Sequence, residues 1–370
     1  GDQENPTVAA LDDGTFVVVW QSNNQVSGTS LKDIYAQLYA ADGTTEGGEF
    51  LVNTYTSNGQ EYPSVAHLGA GKFVVVWESN QDVDKSSTVT SSGTPNLSVD
   101  QSECQTAASN LGLTWGQTPS WADKASGCLK NTVTNYVYYN TADTNHNCDV
   151  STYVCIEFGV SSGIYAQLYA ADGTKAGGEF LVNTETTSEQ LDPSVAHLGA
   201  GKFVVAWSSY IQASSTSNYD IYAQRYDSDG TKDGTEFLVN TETTNGQILS
   251  SVAALDAGKF VVTWQSSGQD GSGNGVYAQR YAANGTKDST EFKVNDETSD
   301  SQQRPSVASL GSGKFVIAWE SYGQDGSQYG IHAQRYAADG TTEGSEFQVN
   351  NETANTQEYA SVAGLSDGSF

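Results

Sequence analysis

A unit of about 57 residues recurs five times along this chain, and a sixth copy stops after its first strand. Each copy contains an apolar segment that ends in tryptophan, for example FVVVW at 16–20 and FVIAW at 315–319. Successive tryptophans are 57, 130, 57 and 55 residues apart, so the second interval contains an insertion. Because so short a repeat cannot bury enough apolar surface alone, the pattern predicts an array of packed units. The core of the repeats is predicted at Trp20, Trp77, Trp207, Trp264 and Trp319.

Each repeat contains four extended segments separated by glycine-containing turns. In the fourth copy they span 251–255, 259–265, 276–281 and 291–295. The second segment is almost entirely apolar, as expected for an interior strand that is covered on both faces. Four short consecutive strands are typical of an antiparallel meander. We therefore predict an all-β fold of repeated four-stranded units in a β-propeller-like array, with an open linear stack as the alternative.

The repeat boundaries divide the chain into an array and an inserted module. We assign the array to 1–82 and 163–370, and the module to 83–162, between the second and third strands of the second copy. An insertion is tolerated there because a longer surface loop costs little extra closure entropy. The repeats are placed at about 6–62, 63–192 with the insertion, 193–249, 250–304 and 305–359, with a partial sixth at 360–370.

The inserted module contains all four cysteines of the chain, Cys104, Cys128, Cys148 and Cys155. An even number of cysteines in a short segment predicts two disulfides and an oxidising compartment, and it leaves three pairings open. Zinc is the competing interpretation, but no cysteine pair has the spacing of a zinc knuckle. Helix-favouring residues at 102–111 and strand patterns at 136–139 and 153–158 predict a small α+β module.

The charge of the chain is strongly acidic. It has 44 Asp plus Glu against 16 Lys plus Arg, which gives a formal net charge of −28. Such a surface repels nucleic acid and anionic membranes and attracts divalent cations. No apolar run approaches the roughly 18 residues that span a bilayer, and no charged-then-apolar leader stands at Gly1. We therefore expect an extracellular or cell-surface protein without membrane insertion or nucleic-acid partners.

The acidic turns suggest calcium as a cofactor. The third copy places Asp227, Asp229 and Asp233 close together, and Asp270 and Asp325 lie in glycine-rich loops. Calcium loops require several carboxylates at two-residue spacing, whereas Asp-Gly pairs form tight turns without any metal. Both interpretations stay open, and the three aspartates of the third copy are the best calcium candidates.

Nothing in the repeats predicts a catalytic site, so we expect the chain not to be an enzyme. A glutamate precedes the closing strand in every copy, and five equivalent places favour a structural role over a catalytic one. The histidines form no set with serine or cysteine that suggests nucleophilic catalysis. The few arginines do not converge as a site for a carboxylate substrate would require. The recurring glutamates are Glu49, Glu179, Glu236, Glu291 and Glu346.

Three N-glycosylation sequons lie in segments that we predict to be exposed. They are NLS at Asn96, NGT at Asn284 and NET at Asn351. A sequon is an acceptor for a glycan in a secreted protein. We predict that at least one of the three carries a glycan if the source is eukaryotic.

The repeat resembles the tandem units of large secreted bacterial proteins of the adhesin and RTX-associated kind. Its signature is SVAxL, GxFVVxW, GxDG, IYAQRY, DGT and EFxVN, and it covers about 290 of the 370 residues. The insertion resembles a four-cysteine module in extracellular proteins of unicellular algae, through Gly127-Cys128, 137–141 and 153–155. Its helix and aromatic strands are also similar to lectin-like domains. These resemblances imply an extracellular surface protein and carry no catalytic motif.

The partial sixth copy suggests a mode of assembly. Residues 360–370 align with 6–16, and the first copy already has four strands, so the last segment is a surplus strand. A strand with free backbone groups pairs readily with the edge of another molecule. We therefore predict a non-enzymatic structural protein of a surface fibre, adhesin or matrix that associates head to tail into filaments. The association residues are predicted at Ser361, Val362, Ala363, Leu365 and Phe370.

Two other classes of function stay open from the sequence. A carbohydrate-binding, lectin-like surface protein would bind glycans through the insertion, with Trp115, Trp121 and Tyr138 as stacking residues. A propeller glycosidase would require one acidic pair in a central pocket.

Overall fold

A computed structural model gives the fold of the chain. It describes residues 1–23, 25, 31–56, 58–80, 87–90, 104, 108, 114–116, 127–131, 136–140, 153–158, 162–186, 188–213 and 218–370. The chain divides into two compact units, Gly1–Gln81 with Ser162–Phe370, and Asp82–Ser161. The first unit contains the repeats, and the second contains the insertion.

The first unit consists of five four-stranded antiparallel sheets, one for each full repeat. Sheet 1 contains β1 (Gln3–Ala10), β2 (Phe16–Asn23), β3 (Lys32–Tyr39) and β4 (Thr45–Leu51). Sheet 2 contains β5 (Gln60–Gly69), β6 (Lys72–Ser79), β12 (Gly163–Tyr169) and β13 (Phe180–Leu181). Sheet 3 contains β14 (Gln190–Gly199), β15 (Lys202–Tyr210), β16 (Tyr219–Tyr226) and β17 (Phe237–Leu238).

The last two sheets follow the same plan. Sheet 4 contains β18 (Gln247–Ala254), β19 (Phe260–Ser267), β20 (Asn274–Tyr281) and β21 (Phe292–Lys293). Sheet 5 contains β22 (Gln302–Gly311), β23 (Lys314–Tyr322), β24 (Tyr329–Tyr336) and β25 (Thr342–Gln348). Short 3-10 helices at Asp12–Gly14 and Asp256–Gly258 follow the first strands of sheets 1 and 4. The repeated sheets do not close into a barrel, and the predicted fold class of a propeller-like β array is confirmed.

The second strand of each sheet is apolar because its two faces pack against different neighbours. In β15 of sheet 3, Val204 and Ala206 belong to the core shared with sheet 4. Val205 and Trp207 point the other way and belong to the core shared with sheet 2. Alternate residues of a strand face opposite sides, so a strand between two sheets needs apolar residues throughout. The indole Nε1–H of Trp207 donates to Gln190 Oε1 at 2.9 Å, which satisfies its one polar group.

An aromatic cluster joins each sheet to the next. The ring of Phe50 in β4 lies 5.4 Å from the ring of Tyr169 in β12, and Tyr169 stacks on Phe73 at 4.8 Å. Aromatic side chains bury large apolar areas and prefer such tilted and offset geometries, so these clusters stabilise the order of the sheets. The same contact recurs at the following interfaces between Phe180 and Tyr226, Phe237 and Tyr281, and Phe292 and Tyr336.

The recurring glutamates are structural, as their repetition predicts. Glu291 Oε2 accepts the backbone N–H of Thr241 from the preceding sheet at 2.6 Å, and its Oε1 accepts Gln269 Nε2–H at 2.7 Å. Hydrogen bonds to a carboxylate are about twice as strong as neutral ones, so Glu291 ties its sheet to the preceding one. Equivalent bonds join Thr54 to Glu179, Thr184 to Glu236 and Asp296 to Glu346.

The outer face of sheet 1 differs from the faces inside the array. Val8 is 62% exposed there, and Trp20 is only partly buried. The other predicted core tryptophans, which lie between two sheets, are fully buried: Trp77, Trp207, Trp264 and Trp319. The burial of the tryptophan therefore depends on the neighbouring sheet.

The C-terminal segment lies against sheet 5 of its own chain. Val362 packs on the core of that sheet, and its N–H donates to Ser306 Oγ at 3.2 Å. The same bond joins Val307 to Ser251 between sheets 4 and 5. Residues 360–370 therefore occupy the position of a sixth first strand, and this segment is already docked within the molecule.

The second unit contains a five-stranded sheet. Its strands are β7 (Ser87–Thr90), β8 (Thr114–Trp115), β9 (Gly127–Asn131), β10 (Tyr136–Asn140) and β11 (Tyr153–Phe158), in the order β7-β11-β9-β10-β8. The pairing of β8 with β10 is parallel and the other pairings are antiparallel. Cys104 and Ala108 are helical and buried. Within the described ranges, no helix is long and apolar enough to cross a membrane.

Substitution Glu291→Ala should destabilise the array because it removes both bonds that this carboxylate accepts. We expect the free energy of unfolding in urea to fall by about 2 kcal/mol. Glu49→Ala is the matched control, since Glu49 lies on the outer face of sheet 1, where Gln25 is its one hydrogen-bond partner among the described residues. It should change the free energy of unfolding by less than about 0.5 kcal/mol. Equal losses in the two variants would contradict the assigned role.

Candidate functional site

The upper edge of the array is the edge where each first strand begins and each second strand ends. A bulge interrupts the pairing of these two strands near that edge, for example between Leu191 and Ser194 in sheet 3. The bulge places one residue in the left-handed backbone region, with φ between 48° and 57°. Bulges re-aim side chains and often lie beside functional sites. The bulge residues of the five sheets are Asn5, Tyr62, Asp192, Leu249 and Arg304.

The bulge residue contacts the preceding sheet through its backbone N–H. Tyr62 N–H donates to Gln21 Oε1 at 3.0 Å between sheets 1 and 2. Between sheets 2 and 3, Asp192 N–H donates to the carboxyl group of Glu78. In both cases the receiving side chain stands one residue after the tryptophan of the second strand. The five residues at this receiving position are Gln21, Glu78, Ser208, Gln265 and Glu320.

Glu78 and Asp192 form an acidic pair that the other interfaces lack. Glu78 is only 8% exposed, and its Oε2 is buried without a hydrogen-bond partner among the described residues. Burial, together with the nearby charges of Asp192 and Glu61, raises the pKa of Glu78 to about 8. Burial also raises the pKa of Asp192, to about 6. A buried carboxyl without a cation keeps its proton, because desolvation disfavours the charged form.

Glu320 shows how the repeat usually handles a carboxylate at the receiving position. It is fully buried, but its Oε2 lies 3.1 Å from Arg304 Nη1 and accepts Gln303 Nε2–H at 2.9 Å. Its Oε1 accepts Tyr359 N–H at 2.7 Å. An arginine and two further donors thus compensate this buried charge. Glu78 has no such cation among the described residues, so the two buried carboxylates at this position have different environments.

Further polar groups surround the acidic pair on its exposed side. Glu61 is the cross-strand partner of Glu78, and Lys32 Nζ lies 3.1 Å from its Oε2. Tyr62 is 44% exposed. Burial raises the pKa of Tyr62, and the charges of Glu61 and Asp192 raise it further, so its hydroxyl lies near both carboxyl groups. An exposed aromatic ring therefore stands beside the acidic pair.

Tyr219 orients a further carboxylate near the acidic pair, that of Glu189. Tyr219 O–H, at the start of β16, donates to Glu189 Oε2 in a short hydrogen bond. Burial raises the pKa of Tyr219, and this hydrogen bond raises it further. Tyr219 also packs against Tyr210, with ring centroids 5.0 Å apart. The hydroxyl therefore stays protonated and holds Glu189 in place beside the pair.

The arrangement can perform acid–base chemistry near neutral pH. When two carboxyl groups lie in different surroundings, their pKa values differ, so one can act as the proton donor while the other is ionised. Asp192 is half-buried and titrates near pH 6, so it can donate and accept a proton under mild conditions. Glu61 keeps a compensating cation, Lys32, at its side. We assign the candidate site to Glu61, Tyr62, Glu78, Glu189, Asp192 and Tyr219.

The predicted calcium ligands have other partners in the structure. Lys202 Nζ lies 2.7 Å from Asp227 and 3.3 Å from Asp233, and Asp229 accepts Thr231 N–H at 2.9 Å. Among the described residues, no group of three His, Cys, Asp or Glu side chains has the arrangement of a metal site. Calcium binding stays a prediction, and the tight-turn interpretation accounts for these contacts. The loop carboxylates Asp270 and Asp325 likewise accept the N–H groups of Ser272 and Ser327.

The other predicted sites lie away from the acidic pair. Cys104 is disulfide-bonded, whereas the side chains of Cys128, Cys148 and Cys155 lie outside the described residues, so the pairing stays a prediction. Asn284 and Asn351 are exposed, and Asn96 is outside the described ranges. Trp115 is partly buried, while Trp121 and the side chain of Tyr138 are not among the described atoms.

The acidic pair cannot be recognised from single positions of the repeat. Glu78 and Glu320 look equivalent, since both follow the tryptophan of a second strand. Two bulge residues distinguish them: Glu78 has Tyr62 in its own sheet and Asp192 in the next one, whereas Glu320 has Arg304 in its own sheet and Tyr359 in the segment that follows. A comparison of these two positions across the copies would have shown the difference, but their contact becomes evident only from the register.

Solved structures share the fold of this chain. An intramolecular trans-sialidase from leech, in complex with 2,7-anhydro-Neu5Ac, is 11% identical with a TM-score of 0.51, over 99% of this chain and 64% of that chain. An intramolecular trans-sialidase from Ruminococcus gnavus, in complex with oseltamivir carboxylate, is 10% identical with a TM-score of 0.51, over 99% of this chain and 88% of that chain. This chain thus spans less than two thirds of the leech enzyme, and identities this low show similarity of fold alone.

Neither known families nor curated proteins match the sequence. No protein-family model matches it, and no curated protein does. The predicted resemblance to adhesin and RTX-associated repeats therefore stays a prediction.

The prediction of a non-enzymatic structural protein of a fibre, adhesin or matrix is wrong. The similar folds, which extend over nearly the whole chain, belong to enzymes. The repeat array therefore does not indicate a structural fibre. The prediction that the chain is not an enzyme is wrong for the same reason. The proposed assembly strand, Ser361, Val362, Ala363, Leu365 and Phe370, belongs to the segment already docked on sheet 5.

The acidic pair should make stability depend on pH. Folding raises the pKa of Glu78 from 4.5 to about 8 and that of Asp192 from 3.8 to about 6. The folded state therefore binds more protons, and its stability should fall by several kcal/mol as pH rises from about 4 to about 8, since each unit of pKa shift corresponds to about 1.4 kcal/mol. Urea unfolding across this range measures the slope.

Glu78→Gln should flatten most of that slope, because it places at this position the residue that Gln21 and Gln265 already supply in other sheets. Glu320→Gln is the control, since it leaves the acidic pair intact and should keep the slope. A wild-type stability that rises between pH 5 and pH 8 would contradict the assigned burial of the pair.

Proposed function

We propose that this chain cleaves glycosidic bonds in neutral glycans at the upper edge of sheets 2 and 3. The observation that carries the proposal is the acidic pair, which has no cationic partner in the described part of the chain and is flanked by Glu61 and by the exposed ring of Tyr62. Glycoside hydrolysis requires a protonated carboxyl group and an ionised one on either side of the scissile bond. The fold that this chain shares with two trans-sialidases is compatible with this chemistry.

Asp192 is the proton donor in this proposal. Its carboxyl donates a proton to the glycosidic oxygen while the bond from that oxygen to the anomeric carbon breaks. Glu61 stabilises the positive charge that develops on the anomeric carbon, and Lys32 holds this carboxylate in place at 3.1 Å. Water then adds to the anomeric carbon and returns its proton to Asp192, so the carboxyl group is restored.

Glu78 and Tyr62 support this reaction in different ways. Glu78 is buried, so it acts as a positioning residue that accepts the N–H of Asp192 and fixes the bulge. Tyr62 offers a flat aromatic face to the apolar C–H face of a sugar ring, and aromatic surfaces supply large contact areas at low entropic cost.

A neutral substrate suits this site better than sialic acid. The net charge of −28 and the four clustered carboxyl groups repel an anionic substrate. Arg225 and Arg280 donate to backbone carbonyl groups of the next sheet, and Arg304 pairs with Glu320. These arginines do not converge on one point, so the carboxylate of a sialic acid would find no arginine clamp.

Asp192→Asn should abolish cleavage without unfolding the array, because Asn5 occupies the same bulge position in sheet 1. We expect kcat to fall by about 10²–10⁴-fold. The wild-type rate should decrease as pH rises above about 6, where Asp192 loses its proton. Asp42→Asn, in an exposed turn, is the control and should retain full activity.

The measurement is release of reducing sugar from a panel of neutral oligosaccharides and polysaccharides. Activity that survives in Asp192→Asn would contradict the assignment of the donor. Absence of release from every member of the panel would contradict the proposed reaction.

A further inference from the structure

A second cluster lies at the upper edge of sheet 5, apart from the acidic pair. Arg304 is the bulge residue of β22, and its guanidinium carbon lies 4.7 Å from the ring centroid of Tyr359. Behind it, the fully buried carboxylate of Glu320 lies 3.1 Å from Arg304 Nη1. The cluster therefore combines a cation–π contact with an ion pair.

The outer surface of this cluster consists of exposed aromatic rings. Tyr359 is 74% exposed and Tyr322 is 43% exposed. Tyr322 contacts Tyr329 edge-to-face, with ring centroids 5.1 Å apart. Burial raises the pKa of Tyr329, and the charge of Glu320 raises it further while Arg304 opposes it. Large rings exposed together on one edge are unusual for a soluble surface and indicate a binding site.

The ion pair is not required to build the sheet. In sheet 4, Leu249 and Gln265 occupy the positions that Arg304 and Glu320 occupy in sheet 5. That sheet forms the same four strands with the same register shift in its first strand. The cluster is therefore a local addition to the repeat that the packing of the strands does not require.

We propose that Arg304, Tyr322, Tyr329 and Tyr359 form a second, non-catalytic glycan-binding site for neutral oligosaccharides. The rings of Tyr359 and Tyr322 cover the C–H faces of sugar rings. The partly exposed guanidinium of Arg304 and the hydroxyl of Tyr329 bind sugar hydroxyl groups. The charge of Arg304 is cancelled by Glu320, so a neutral chain fits this surface, and the net charge of −28 disfavours an acidic one.

Binding at this site does not depend on cleavage at Asp192, so it is measured in the full chain carrying Asp192→Asn. Isothermal titration with cellohexaose, xylohexaose, mannohexaose and maltohexaose gives the dissociation constants, and an oligogalacturonate serves as the acidic comparison. We expect at least one neutral hexasaccharide to bind, and the oligogalacturonate not to bind.

Two added variants test the residues of the site. Tyr359→Ala should weaken binding about tenfold or more, as loss of one stacking ring implies. The double variant Arg304→Leu with Glu320→Gln reproduces the pair found in sheet 4, so it should keep the unfolding midpoint and weaken binding to a similar extent. Phe370→Ala and Arg335→Ala are the controls, an exposed aromatic and an exposed arginine outside the cluster, and should leave the dissociation constant within about twofold.

Several results would overturn this proposal. They are absence of binding by any neutral hexasaccharide, unchanged binding in Tyr359→Ala, or tighter binding of the oligogalacturonate. A change of oligomeric state in Tyr359→Ala, seen by sedimentation, would assign the rings to contact between copies instead. Loss of binding in Tyr359→Ala with unchanged cleavage of short glycosides by the chain carrying only this substitution would support the second site separately from the proposed reaction.

Discussion

The packing of each apolar second strand between two neighbouring sheets is the constraint on which the rest of this structure depends. Both faces of such a strand must be covered, so Trp207 is fully buried between sheets while Trp20, on the outer face of sheet 1, is not. Aromatic clusters and bridging glutamates hold successive sheets together. The array is therefore rigid at the interfaces, and its upper edge presents equivalent positions from one sheet to the next.

Because the unit repeats, the residues at equivalent positions of different sheets can be compared with one another. Where a neutral side chain such as Gln21 accepts the bulge N–H, the interface needs no compensation. Where a carboxylate does so, its surroundings differ between the two cases: Glu320 pairs with Arg304 of its own sheet, whereas Glu78 faces a second acid, Asp192, from the next sheet. The first gives a neutral, satisfied ion pair, and the second gives a carboxyl that retains its proton. The departures from the repeat, more than its conserved pattern, thus indicate where chemistry and binding are located.

The sequence predicted the fold well because its information is local. The alternation of strands, the glycine turns and the spacing of the tryptophans follow from residues within one copy, and they gave the correct all-β array. The fibre prediction was wrong and the candidate site was not predicted, because both depend on contacts between copies. The surplus strand around Val362 looked free until its bond to Ser306 showed it docked, and the pairing of Glu78 with Asp192 needs the bulge and register that only the structure supplies. The glutamates that precede the closing strands were interpreted correctly as structural, since a catalytic carboxylate normally occurs once and these occur at five equivalent positions.

The protonation of Glu78 and Asp192 tests this account most directly. Carbon-detected NMR of the chain with 13C-labelled side-chain carboxyl groups follows each of the two residues through a pH titration, with Glu78→Gln and Asp192→Asn used to assign the signals. The account predicts that Glu78 stays protonated at neutral pH and titrates near pH 8, and that Asp192 titrates near pH 6. Titration of both groups below about pH 5, the range of ordinary exposed carboxyl groups, would contradict it.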